Sequence, residues 1–378
     1  MTEITGPCPD RFAAVRAAFE RNFTDAPEGL NEVGARFSAT IEGETVIDLI
    51  GGHADLAGTR PLAADTLVPV FSTGKAVMAL LMAWAVERGK LAYDQPVADL
   101  WPDFGQAGKE RVTVAQLLSH QAGLPGFAES IAPELWFDRE AVIGKLAAQA
   151  PMWEPGTASG YHPITVGYLV DEVHRRADGR SLGQALREDF AGPFGLDLWI
   201  GLPVEQHDRV AEMKKPSTPP SLGVVDDIKR SAFFDRGSSP GRRGTTEWRT
   251  AEIPSANLHG TARDLARIMA VIADGGTLDG RRILSSATVQ AAIEERVRGQ
   301  DKVLPFSLSW GAGFLRNAGI DYFGPGARTV GHYGWGGSCV MADPDARVSA
   351  AYVMTRQSPH LIGDPRPVAL FDALYSCL

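Results

Sequence analysis

The stretch VPVFSTGKAVMALLMAWAVERGKL (68–91) decides how the chain is read. A short strand-like run leads into Ser72, and a long apolar helix follows, with Arg88 and Gly89 as its stop signals. Lys75 lies in that helix among Val, Met, Ala and Leu, where a charged amine is costly. Residues three apart on a helix share a face, so a helix starting at Ser72 sets Lys75 over the hydroxyl. A serine hydroxyl is a weak nucleophile until a base takes its proton. A lysine in apolar surroundings loses part of its preference for charge and becomes such a base. The helix N-terminus favours negative charge, so the Ser72 N–H is one donor for an ester's tetrahedral oxyanion. In the alternative, Ser72 only caps the helix and Lys75 snorkels to water; the bare Ser-x-x-Lys spacing leaves both open.

Upstream, DRFAAVRAAFERNF (10–23) has helical spacing, and VGARFSATI (33–41) and ETVIDLIGG (44–52) form a hairpin through Glu42-Gly43. Downstream, the middle third is helical: VTVAQLLSH (112–120), REAVIGKLAAQ (139–149), ITVGYLVDEVHRRA (164–177) and SLGQALREDFAGPF (181–194). Residues 215–250, rich in Pro, Gly and Arg, predict a long surface excursion. A helix at 261–276 has Thr261 as its candidate N-cap. Strands return at SWGAGFLRN (309–317), GGSCVMADP (336–344) and RVSAAYVMT (347–355), and a helix closes the chain at 366–376. Strands at both ends with helices between them predict an α+β fold. One antiparallel sheet is assembled from the N- and C-terminal parts and flanked by helices, with a mainly helical insertion. We expect a discontinuous sheet domain (1–90 and 256–378), a helical domain (91–255) and a site in the cleft between them.

The 378 residues are 44% hydrophobic and carry a net charge of −9, which supports a sizeable core and argues against nucleic acid or an anionic membrane surface as partner. Three cysteines without local pattern, Cys8, Cys339 and Cys377, predict neither a disulfide framework nor a metal knuckle. No apolar run approaches the ~18 residues of a membrane span. MTEITGPCPDRF has no signal-peptide pattern, so a cytoplasmic location is expected. No cofactor or metal is expected; the partner is a small molecule, and homo-oligomerisation is left open.

Three other segments carry chemistry. GSSPG (237–241) matches the Gly-x-Ser-x-Gly nucleophile elbow, but no strand precedes it and Pro240 keeps Ser239 out of helix, so it reads as an exposed loop. Tyr161, in the turn-rich MWEPGTASGYHP (152–163), has two readings. Beside a lysine ammonium its phenol is lowered and works as base and then acid; otherwise it is a packed aromatic. VGHYGWGGSCVMADP (330–344) is dense in glycine, including Gly334, which often marks close approach by a ligand. Its strand edge offers a second oxyanion N–H near Trp335, and His332 offers a hydrogen bond to substrate or to Tyr161. The plain alternative is a glycine-rich turn with a buried histidine.

Taken together, STGK (72–75), GYHP (160–163) and HYG (332–334), in that order and before a DP hairpin, resemble the serine β-lactamase and penicillin-binding superfamily. The resemblance is strongest to the class C β-lactamase-like esterases, the family VIII carboxylesterases. VTVAQLLSHQAGLPG (112–126), WEPGTASGYH (153–162), GRSLGQALREDFAGPFGL (179–196) and ANLHGTARDLARIMAVIADGG (256–276) extend it to about residues 30–360. It implies a β-lactamase/transpeptidase-like fold, with Ser72 as the acylated nucleophile and Lys75 and Tyr161 sharing the acid–base work. The N–H groups of Ser72 and Trp335 would form the oxyanion hole, Tyr161 would activate the deacylating water, and His120 would hold its loop. Two departures matter: β-lactamases carry Tyr-x-Asn where this chain has Tyr161-His162-Pro163, and Lys-Thr-Gly where it has His332-Tyr333-Gly334. A largely neutral histidine replaces the lysine that meets a β-lactam carboxylate. The expected activity is therefore a serine carboxylesterase for short-chain acyl esters. The alternatives are a β-lactamase or D-amino-acid peptidase or amidase, an acyltransferase on the same fold, or a non-catalytic binding module. The aromatics Trp136, Phe137, Trp153, Trp310 and Trp335 are expected to line the pocket.

Overall fold

The computed structural model describes residues 2–378. The elements that position the site are, in chain order, β1 (Ile4–Thr5), α1 (Ala13–Thr24), β2 (Gly34–Ile41), β3 (Glu44–Gly52), α2 (Gly74–Glu87), α3 (Thr165–Asp178), α4 (Ala262–Ala273), β4 (Val297–Gln300), β5 (Ser307–Trp310), β6 (Leu315–Arg316), β7 (Val330–Tyr333), β8 (Cys339–Asp343), β9 (Val348–Met354) and α5 (Pro365–Tyr375). The strands form one nine-stranded sheet in the order β1-β3-β2-β9-β8-β7-β6-β5-β4. Its N- and C-terminal parts join where β9 runs antiparallel to β2, from Val348 opposite Ile41 to Met354 opposite Ala35.

Every residue of β9 is buried, because helices cover both faces of the sheet. Successive side chains point to opposite faces of a strand. Val348, Ala350, Tyr352 and Met354 thus pack with Phe19 of α1 and Phe371 of α5. Ala351 and Val353 pack on the other side with Leu265 and Ile272 of α4 and with α2. Each fully buried Leu, Ile or Phe contributes about 1.5–3 kcal/mol, so burial on both faces of the sheet is a substantial source of stability. The helix α4 starts where expected: the Thr261 hydroxyl accepts from the Asp264 N–H at 3.1 Å.

Three expectations change. SWGAGFLRN is a hairpin of two strands rather than one strand, because Gly313 takes φ +90° in its turn; a Cβ there would lie 2.8 Å from Ala79 Cβ. The helix expected over 112–120 is limited to Val114–Leu118, opened by a capping box between Thr113 and Gln116. Segment 215–250 is no free surface excursion. It holds helical turns at Asp227–Lys229, Arg230–Phe234 and Thr246–Thr250, and Leu222, Ala232 and Trp248 are buried. A few apolar anchors dock it, which an average over its Pro, Gly and Arg content conceals. Among the described residues no helix is long and apolar enough to cross a membrane.

Candidate active site

The Ser72 turn is held on both flanks. Val68–Pro69 pairs antiparallel with His259–Gly260, and the Val70 N–H donates to Leu258 O at 2.9 Å. Phe71 then takes φ +50°, a left-handed conformation that bulky residues rarely adopt. Such strain persists only where the surroundings over-determine it, commonly at functional sites. A 3₁₀ turn, Phe71–Thr73, carries Ser72 half-buried before α2 begins at Gly74, so Ser72 is no helix cap. Gly334 closes against this turn: a Cβ there would lie 2.2 Å from Val70 O and 2.7 Å from Thr73 Oγ1. The backbone that approaches Gly334 is thus the chain's own.

Lys75 is 1% exposed and does not snorkel. Its Nζ lies 2.8 Å from Ser72 Oγ and donates to Pro163 O and Ser255 O, each at 2.8 Å. Burial, with no carboxylate to hold the charge, pushes the amine well below its ordinary pKa. The carbonyls of Pro163 and Ser255 are site groups that sequence reasoning missed.

Tyr161 is also buried, stacked on Trp310 with ring centroids 6.0 Å apart and edge-on to His120 at 4.9 Å. Lys75 Nζ stands 4.9 Å from its ring centroid, and Tyr161 and Ser72 line the same cleft. Burial pushes the phenol above its ordinary value, which corrects the expectation of a lowered one. The lysine's own charge is disfavoured in the same pocket, so it does not stabilise a phenolate. The Tyr161 backbone is fixed by Asp301, another missed residue. Asp301 Oδ1 accepts from the N–H groups of Tyr161, Val303 and Leu304, each at 2.9 Å, and Oδ2 accepts from Ser159 Oγ at 3.0 Å.

The histidines divide by role. His162 Nε2 accepts from the Leu124 N–H at 2.9 Å and its Nδ1 meets Gly160 O at 2.6 Å, so its ring braces the loop. His120, at φ +63°, accepts from the His162 N–H through Nδ1 at 3.2 Å, as a loop-holding residue would. His332 Nδ1 meets Tyr333 O at 2.7 Å, and burial lowers its pKa to about 3, so the ring is neutral. Its Nε2 has no partner among the described residues, and the ring lines the cleft.

Trp335 follows on a turn bonded through the Gly334 N–H to Ser338 O at 2.7 Å. Gly336 O accepts from the Ser358 N–H at 2.9 Å and from Arg366 Nη2 at 3.2 Å. Arg366 is fully buried and paired with Glu32 and Asp364. Among the described residues, the N–H groups of Ser72 and Trp335 have no backbone acceptor.

These groups open into a cleft of about 1000 Å³ with a mainly apolar lining. Of the aromatics expected there, Trp310 and Trp335 line it and Trp136, Phe137 and Trp153 do not. Trp136 donates to Gly237 O at 2.8 Å inside the core, and Trp153 packs on His162. The 215–250 segment supplies Ala232, Phe233, Ser239, Arg243 and Trp248 to the lining. Ser239 is half-buried in the cleft wall rather than on an exposed loop, again with no strand before it.

The family profile described as Beta-lactamase matches residues 19–375. The chain is 33% identical to the Esterase/beta-lactamase LipL of Mycobacterium tuberculosis over 367 residues, 93% of this chain and 83% of that protein. A penicillin-binding protein homologue from Caulobacter crescentus superposes with a TM-score of 0.96 at 56% identity, covering 100% of both chains. A family VIII carboxylesterase does so with a TM-score of 0.93 at 40% identity, again over 100% of both. The sheet closed from both chain ends is the β-lactamase/transpeptidase-like fold, and this chain belongs to the β-lactamase family as one of its serine hydrolases.

Proposed function

We propose that this hydrolase is a carboxylesterase that cleaves short-chain acyl esters through an acyl-enzyme on Ser72. The observation that carries the reading is the set of three contacts at 2.8 Å around Lys75 Nζ. A neutral amine has two N–H donors and one lone pair. Pro163 O and Ser255 O take the two donors, which leaves the lone pair for the Ser72 hydroxyl. As Ser72 Oγ attacks the ester carbonyl, its proton passes to Lys75. The oxyanion accepts from the N–H groups of Ser72 and Trp335. When the tetrahedral intermediate collapses, the protonated Tyr161 gives its proton to the leaving alkoxide and recovers one from the Lys75 ammonium. Water then attacks the acyl-enzyme and releases the acid by the same proton path in reverse. The site lies between the discontinuous sheet domain (1–90 and 256–378) and the helical insertion (91–255). The neutral His332 and the inward-turned His162 favour an ester over a β-lactam, since neither offers the charge or the amide contact a β-lactam would use.

Intact-mass spectrometry after brief exposure to p-nitrophenyl butyrate or a serine-directed phosphonate, with Ser72→Ala alongside, tests this. One adduct on the native chain and none on the variant is expected, with p-nitrophenyl butyrate turned over much faster than a chromogenic cephalosporin. An adduct that survives in Ser72→Ala, or cephalosporin hydrolysis at a rival rate, would overturn the reading.

A further inference from the structure

Among the described residues that line the cleft, Arg243 alone carries a charge at neutral pH. It comes from the 215–250 segment; its side chain stays solvent-accessible at the cleft wall, although packing around the guanidinium disfavours its charge and lowers its pKa. Its guanidinium carbon sits 5.4 Å from the ring centroid of Phe71, the residue before Ser72, and 5.4 Å from that of Trp335, whose N–H the esterase reading assigns to the oxyanion hole. Two aromatic faces orient an arginine without neutralising it. Nearby arginines of the same segment are treated differently: Arg242 pairs with Glu247 and Glu134, whereas Arg243 has no carboxylate within 4.0 Å among the described residues. The wall it forms with Phe71, Trp248 and Trp335 separates the cleft from a second cavity of about 1380 Å³. The charged groups on that far side are Glu212, Lys215 and Arg249, and the Glu212 carboxylate is occupied by the Leu56 N–H at 2.9 Å. An oriented, unpaired guanidinium at the edge of an otherwise uncharged, mainly apolar cleft is suited to bidentate recognition of a carboxylate.

Building on the esterase reading, we propose that the enzyme selects esters that carry a carboxylate at the end remote from the scissile bond, and that Arg243 holds that carboxylate. The reacting ester group stays uncharged beside Ser72 and His332. The anion sits outward, where partial exposure spares it most of its desolvation cost. Arg243 is thus a specificity residue and takes no part in bond making.

The test compares ester pairs matched in length, one member carrying a carboxylate and the other a neutral group at the same end. Mono-4-nitrophenyl adipate against 4-nitrophenyl hexanoate places the carboxylate on the acyl side. 4-Butyryloxybenzoate against 4-butyryloxybenzamide places it on the alcohol side. In at least one pair the native enzyme should prefer the anion, with the preference carried in KM. Arg243→Gln should lower the anionic-to-neutral ratio of kcat/KM roughly 5- to 30-fold, a range reduced from that of a buried charged hydrogen bond because the group is exposed. Arg243→Lys should restore part of the ratio, and added salt should erode it in the native enzyme. Turnover of both members of each pair with a ratio that Arg243→Gln leaves unchanged would overturn this inference and leave the esterase reading standing. An equal loss on both members would make Arg243 a wall residue and likewise overturn it. No turnover of any ester would overturn both.

Discussion

Lys75→Met removes the amine while keeping a flexible side chain of similar length in the apolar slot. Three contacts at 2.8 Å disappear, to Ser72 Oγ, Pro163 O and Ser255 O. A positioned general base contributes about 10²–10⁴ in rate, or about 3–5.5 kcal/mol at about 1.36 kcal/mol per decade. The loss should fall at the upper end. Tyr161, which lines the same cleft, has its phenol pushed above the ordinary value by burial, so it holds its proton at neutral pH and does not take over as base. The pH profile gives an independent reading. Lys75 must be neutral to work and its pKa is well below 10.5, so native kcat/KM should fall as pH drops through that lowered value. The variant should lose that limb. Stability follows the same proton: below 10.5 the unfolded lysine is protonated while the folded one has already lost its proton. The unfolded state therefore binds more protons between the two pKa values, and native stability rises with pH across that window, with no such rise in Lys75→Met. Initial rates with p-nitrophenyl butyrate from pH 6 to 10 and urea unfolding at matching pH make the measurement. A variant within about tenfold of native kcat/KM, or one that keeps the native acid limb, would refute the assignment of Lys75 as base.

Gly334→Ala would set a Cβ 2.2 Å from Val70 O, so it should destabilise by about 1–3 kcal/mol or more and depress kcat by shifting the Ser72 turn; thermal unfolding and steady-state rates report both. Asp301→Ala strips the acceptor from three buried N–H groups and should lower kcat by misplacing Tyr161. Asp301→Asn keeps one carbonyl oxygen for those donors, so kcat should rank native, then Asn, then Ala. Arg366→Met leaves Glu32 and Asp364 buried without their cation and should cost about 3–5 kcal/mol, read as a lower urea midpoint at an unchanged m-value.

Much of the fold was legible in the sequence because it is written in local periods. Strand-like runs over 33–41 and 44–52, joined at Glu42-Gly43, marked the first hairpin, which is β2 and β3, and the apolar run after Ser72 marked α2. The Ser72-x-x-Lys75 spacing set the two side chains on one face, and the motif order pointed to the family. Composition misled at 215–250, where a few docked apolar residues outweigh a loop-like average.

What the sequence by itself determined was which residue types stand at helical or strand spacing, and hence the architecture and the Ser72–Lys75 pair. The protonation preferences of that pair, and the groups that hold it, were decided by the tertiary structure. Lys75 is kept toward neutral by burial, and carbonyls of Pro163 and Ser255, 88 and 180 residues away, position its amine. Tyr161 is seated by Asp301, 140 residues downstream, and its phenol is raised by the walls that enclose it. The physical reason is that every residue carries the same carbonyl and N–H, so no residue type announces which of them will line a site. Desolvation, likewise, belongs to the closed cleft as a whole and to no single position along the chain.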